Sequence, residues 1–207
     1  MNLLPEQLHD QQYQLLYKLD HNNILPFVRT YIRKWNVYTI GYLVLSIILL
    51  VIPLVHGGLL HQAEKFKLME LFNRFALGIG ISFSLVFPHE WIHMLAYRWV
   101  GAQQTAFAAN LKKLYFMATA HRFVASRFEI TLVALAPMVI ITLLFLLLLP
   151  FVSTPWQFTV YGILFTHTSF CTGDIAIVSY FQSNKTMELV TWDDCDEKIS
   201  YFEGRAK

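Results

Sequence analysis

The chain has 207 residues, of which 56% are hydrophobic and only 14% charged, with a formal net charge of +2. A soluble domain carries about 25% charged residues, and here the apolar residues are clustered rather than spread, which excludes an ordinary water-soluble core and points to membrane spans. The slightly positive charge says nothing about nucleic acid, but no basic run interleaves with aromatics as in single-strand binders, and no nucleic-acid partner is expected.

Residues 1–36 form a polar N-terminal segment, expected in the cytoplasm or at the membrane interface. No short apolar run follows basic residues there, so no cleavable signal peptide is expected and the first span serves as the insertion signal. Leu8, Leu15, Leu16 and Leu19 recur at roughly helical spacing among Gln, Asp and Lys. That pattern predicts a short amphipathic helix lying on the bilayer surface.

A membrane-crossing helix needs about 20 mostly apolar residues. Four stretches qualify: 37–55, 75–100, 128–149 and 156–181. The expected fold class is therefore all-α, a polytopic bundle of about four transmembrane helices. Residues 37–181 form the membrane domain and 182–207 an acidic, solvated C-terminal tail. Lys18, Arg29, Arg33 and Lys34 precede the first span, and Arg98, Lys112, Lys113, Arg122 and Arg127 lie between the second and third. The connection between the third and fourth has no basic residue. The positive-inside rule then places both termini in the cytoplasm. Cys171 and Cys195 form no CxxC pair, so neither a disulfide framework nor a zinc ribbon is indicated.

The second span contains His89-Glu90-Trp91-Ile92-His93, an HExxH motif. Histidines four residues apart lie on one helix face, one turn apart, and so are able to hold one zinc ion. Glu90 beside the first ligand is placed to take the proton of a water that zinc activates, and to pass it to the leaving amine. Charged groups inside a span are costly and mark functional sites. The acids within the expected spans are Glu90, Glu129 and Asp174, with Glu129 near an edge where it can snorkel or pair with Arg127.

A catalytic zinc takes three protein ligands and keeps an open position. Asp174 is the candidate for the third, because it stands seven residues before the end of the fourth span, as His93 does in the second. That puts both about 10 Å from the cytoplasmic surface. His167 is the rival. It lies on the same helix face as Asp174 but about 10 Å away along a straight axis, which fits a contact to substrate or to the oxyanion of the reaction. His121, in the cytoplasmic loop, is a weaker candidate. Pro88 is expected to kink the second span, Gly78 and Gly80 to allow close helix approach, Gly173 to do the same in the fourth span, and Pro137 to bend the third.

In order along the chain stand HEWIH within a span, Gly101, Ala136-Pro137 in the next span, and Gly173-Asp174. This set resembles the zincin peptidase family of small bacterial membrane proteins, which is similar to site-2 proteases. The resemblance runs from about residue 75 to about residue 195. It implies zinc held by His89, His93 and Asp174, Glu90 as general base, a multi-pass location in the bacterial plasma membrane, and membrane-protein or peptide substrates. Site-2 proteases carry an Asn-Pro pair upstream of an Asp-Gly; here the order is Gly173-Asp174, with His167 and no Asn-Pro upstream. The expected function is thus a membrane-embedded zinc endopeptidase cutting near the cytoplasmic face. The competing reading is a metal-binding membrane protein without protease activity, a transporter, sensor or accessory protein. Transporters tend to show repeated halves and several midplane carboxylates, which this chain lacks.

Overall fold

The computed structural model describes residues 3–110 and 115–207. Lys112 and Lys113 of the loop count above lie outside the described residues. In chain order the elements are α1 (Pro5–Leu8), β1 (Gln14–Asp20), α2 (Leu25–Ile32), α3 (Val37–Gln62), α4 (Leu68–Ser82), α5 (Val86–Trp99), β2 (Thr105–Asn110), β3 (Tyr115–Ala120), β4 (Ala125–Ser126), α6 (Arg127–Leu148), α7 (Thr154–Phe170), α8 (Thr172–Ser183), β5 (Met187–Asp194) and β6 (Ile199–Ala206). Single 3-10 turns, Phe83–Leu85 and Leu149–Phe151, precede α5 and follow α6.

The protein is mostly helical, but the all-α expectation is corrected. β1, β6, β5 and β4 form an antiparallel four-stranded sheet in that order, and β2 pairs with β3 as a separate hairpin. The residues read as an acidic tail are the β5–β6 hairpin. In β6, Ser200, Phe202 and Gly204 face inward and alternate with more exposed neighbours, the period-2 signature of a half-buried strand. Asp194 and its neighbours are turn residues: Asp194 Oδ1 accepts the N–H groups of Asp196 (2.9 Å) and Glu197 (3.0 Å). The leucines read as an amphipathic helix fall on α1 and β1 instead. Leu8 and Leu19 are buried while Leu15 and Leu16 are exposed, beside a register shift between Leu15 and Tyr17.

Among the described residues three helices, not four, are long and apolar enough to cross a membrane: Val37–Gln62, Leu68–Trp99 and Arg127–Phe151. The stretch 156–181 divides at Cys171 into α7 and α8. α7 ends at its C-cap, Cys171, whose ψ of 2° leaves the α-helical range, Thr172 Oγ1 donates to the Ser169 carbonyl (2.6 Å), and α8 starts with Asp174 in its first turn.

The helix limits follow from local chemistry. Asn36 Oδ1 accepts the N–H groups of Tyr38 (3.1 Å) and Thr39 (3.3 Å), capping α3. Ser126 and Glu129 form a reciprocal capping box on α6, so Glu129 serves the helix start rather than pairing with Arg127. Pro88 offers no N–H to the Ser84 carbonyl four residues back, and the helical path is interrupted there by the 3-10 turn Phe83–Leu85. α5 ends where Gly101 takes φ 109°, with Ala102 N–H on the Tyr97 carbonyl and Gly101 N–H on that of Arg98, a Schellman stop.

The chain divides into two compact units. The first comprises Met1–Thr39, Glu90–Ala136 and Gly173–Lys207. Its core centres on Phe27, Tyr180, Phe181 and Phe202. Phe27 stacks on Phe202 at 5.6 Å between centroids, and Tyr180 lies 4.8 Å from Phe202. Ser179 on α8 donates to the Tyr31 carbonyl (2.6 Å) and receives Asn36 Nδ2 (2.7 Å). Arg127 reaches the carbonyls of Asn184 and Met187. These bonds fix α8, and with it Asp174, inside this unit.

The second unit comprises Ile40–His89 and Pro137–Thr172. Here α4 packs closely on α7 through Gly78 and Gly162. A Cβ on Gly78 would collide with the Thr159 carbonyl, and one on Gly162 with that of Phe75, whereas Gly80 meets nothing within 4 Å. Ser82 Oγ, hydrogen-bonded to the Gly78 and Ile163 carbonyls, closes the same contact. Small residues at such a crossing replace the hydrophobic driving force that lipid does not supply. We therefore expect Gly162→Ala to destabilise the detergent-solubilised protein by about 1–3 kcal/mol, the usual cost of overpacking. Gly80→Ala should leave the thermal midpoint unchanged or slightly raised, and equal midpoints for the two variants would refute the close crossing.

Candidate metal centre

α5 carries His89, Glu90 and His93, all 7% exposed or less. In the first unit, His93 Nε2 lies 3.3 Å from Asp174 Oδ1, and His93 Nδ1 donates to the Val133 carbonyl of α6 at 2.9 Å. That bond assigns the proton to Nδ1 and turns Nε2 toward the carboxylate. Glu90 Oε2 accepts the backbone N–H of Ala118 on β3 at 2.7 Å. In the second unit, His89 Nδ1 lies 3.2 Å from Nε2 of His167, which is fully buried in the last turn of α7.

His89 stands one turn before His93 on the same helix. Four-residue spacing puts the two rings on one face of α5. The donor set fits a divalent metal. With bonds of about 2.0–2.1 Å, tetrahedral zinc places neighbouring ligand atoms about 3.4 Å apart, close to the 3.3 Å between His93 and Asp174. A part-buried carboxylate facing an imidazole nitrogen is a donor set of the type zinc takes.

The sequence-derived candidates separate as follows. His93 and Asp174 are brought together in the first unit, while His89 stands one turn before His93 on α5 with Glu90 next to it. His167 is carried to His89. His121 falls in a different group, with Asp194 and Asp196; its Nδ1 accepts the Cys195 N–H at 3.2 Å. A third group, His89, His167 and Cys171, is also within ligand distance. Sequence reasoning missed Ala118 and Val133, because both act through backbone atoms. It passed over Cys171 as a core thiol, although four-residue spacing from His167 places the two on one helix face.

β3 reaches Glu90 from a well-anchored position. Its N–H groups that point away from β2 alternate: Ala118 donates to Glu90, and Ala120 donates to Asp193 Oδ2 at 3.2 Å. Asp193 on β5 is buried, and its Oδ1 accepts from Ser200 Oγ at 2.6 Å, which in turn meets His21 Nε2 at 2.8 Å. Burial pushes the Asp193 carboxyl above the usual range, while hydrogen bonds from Ser200 and Ala120 oppose the rise. Burial likewise drives His21 down to about 4, so it stays neutral at physiological pH. Cys195 Sγ on Thr119 Oγ1 (3.2 Å) and Arg122 N–H on the Asp193 carbonyl (2.8 Å) complete the attachment.

Comparison with known proteins places this geometry. No curated protein and no solved structure matches the chain. The protein family described as "Putative zincin peptidase" matches residues 82–187, just over half of the chain. That interval takes in α5 with its HExxH residues, the β2–β3 hairpin, α6, His167 and Asp174, and the chain belongs to this family.

Proposed function

We propose that the protein is a membrane-embedded, zinc-dependent endopeptidase of site-2-protease type, cutting membrane-protein or peptide substrates near the cytoplasmic face. The observation that carries this reading is the approach of Asp174 to His93, one turn from His89 and beside the buried carboxylate of Glu90. His89, His93 and Asp174 hold the metal. Zinc, when bound, supplies a Lewis acid and a water of lowered pKa. Glu90 takes the proton from the attacking water and returns it to the leaving amine. Ala118 holds the Glu90 carboxylate through one oxygen. Val133 holds the His93 ring. A substrate helix hides its carbonyls in hydrogen bonds, so the cleaved segment is locally unwound. The three apolar helices embed the site, with both termini in the cytoplasm of a bacterial cell.

The test is metal removal. Purified protein in proteoliposomes, mixed with solubilised membrane proteins, should carry one zinc ion per chain and generate new N-termini detectable by terminal labelling and mass spectrometry. Extraction with 1,10-phenanthroline should stop this, and zinc should restore it. Cleavage that persists in metal-free protein would sink the proposal.

A further inference from the structure

Both α5 histidines have Nδ1 engaged by a neighbour. For His93 the partner is a backbone carbonyl, that of Val133 at 2.9 Å. For His89 it is a side chain, Nε2 of His167 at 3.2 Å. The two rings meet edge to face, with centroids 5.3 Å apart and planes at 61°. A ring that ligates through Nε2 must carry its proton on Nδ1, so His89 donates and His167 accepts, with the His167 proton on its own Nδ1.

His167 is also on a rigid support. It is 0% exposed. Cys171 Sγ donates to its carbonyl at 3.3 Å, closing the last turn of α7. One turn earlier, the Ile163 carbonyl accepts from Ser82 Oγ, and Gly162 seats α7 against α4. α4 leads through a single 3-10 turn into α5. The acceptor for His89 is therefore fixed to the same helix pair that delivers His89.

We propose that His167 is a positioning residue for the metal centre: it orients the His89 ring and fixes its tautomer, presenting Nε2 as the ligand atom. The inference rests on the metal reading above and assigns His167 a role other than touching substrate or the oxyanion. Outer partners of this kind raise ligand basicity and remove rotational freedom from the ring, and their loss costs metal affinity.

The experiment uses the full chain in detergent, stripped of metal, with Zn2+ affinity read by competition against a chromophoric chelator and site geometry read from the Co2+ absorption spectrum. Helix content by circular dichroism confirms folding. His167→Leu should weaken Zn2+ binding by about 10–100-fold and shift the cobalt d–d bands. His167→Gln places an amide oxygen near the position of Nε2, so it should accept the same proton and recover most of the affinity and the wild-type spectrum. Where the leucine variant fails to fold, the glutamine variant decides: a loss beyond about tenfold in folded protein overturns the proposal, as does wild-type affinity in folded His167→Leu. A thiolate-to-cobalt charge-transfer band in wild type, lost in Cys171→Ser, would also overturn it, since His89, His167 and Cys171 would then be ligands together. His93→Ala separates the two readings. Binding unchanged in that variant, or absent in wild type, defeats the metal site itself; binding lost there but intact in His167→Leu defeats only the positioning role.

Discussion

Glu90→Gln is expected to keep its zinc and to lose peptide hydrolysis. The substitution preserves volume at a buried position. The amide oxygen remains able to accept the Ala118 N–H, which the carboxylate receives at 2.7 Å. The separation of His93 from Asp174 does not involve Glu90. The variant removes only the capacity to accept a proton, and general acid–base catalysis contributes about 10²–10⁴-fold. New N-termini in proteoliposomes should fall by that factor while elemental analysis reads the wild-type zinc content. Wild-type cleavage in this variant would remove Glu90 from proton transfer. Loss of zinc would instead make it part of the metal's support.

The second large effect is expected at Asp174. Asp174→Ala deletes one of three donors and leaves His93 Nε2 facing the space of a carboxylate now 3.3 Å away. Zinc affinity should fall further than the about 10–100-fold typical of losing an outer partner, and purified protein should be metal-depleted. The fold should hold, because α8 is anchored elsewhere, through Ser179 on Tyr31 and Asn36 and through Tyr180 and Phe181 in the aromatic core. Circular dichroism beside metal analysis reads both. Undiminished zinc in a folded Asp174→Ala protein would move the third ligand to another residue.

The apolar helices were legible because lipid leaves the backbone no outside partner, so a spanning segment must be long, continuous and apolar. The histidine pair was legible because helix geometry alone sets a four-residue spacing. Asp174 was singled out by matching depth, and its Oδ1 lies 3.3 Å from His93 Nε2. The distance of His167 from Asp174 was reckoned on one straight helix, whereas α7 ends at Phe170 and α8 begins at Thr172. The strands were hidden by their composition. β5 and β6 bury Thr191, Asp193 and Ser200, polar residues whose burial depends on partners in other strands and on His21. An acid-rich hairpin turn next to them reads as a solvated tail until those partners are in place.

The β3 segment carries a consequence for how the protein tolerates change. Its hold on Glu90 and on Asp193 is made by main-chain N–H groups two residues apart, at Ala118 and Ala120. Both side chains are buried, Ala120 in the core of the first unit, so small residues are required there, and proline would remove the bond itself. Length is another matter. Successive peptide groups in a strand point to opposite edges. One residue gained or lost between Ala118 and Ala120 would turn their two N–H groups to opposite edges, so that Glu90 and Asp193 could no longer both be held. The stretch is therefore constrained in residue count as well as in side-chain size.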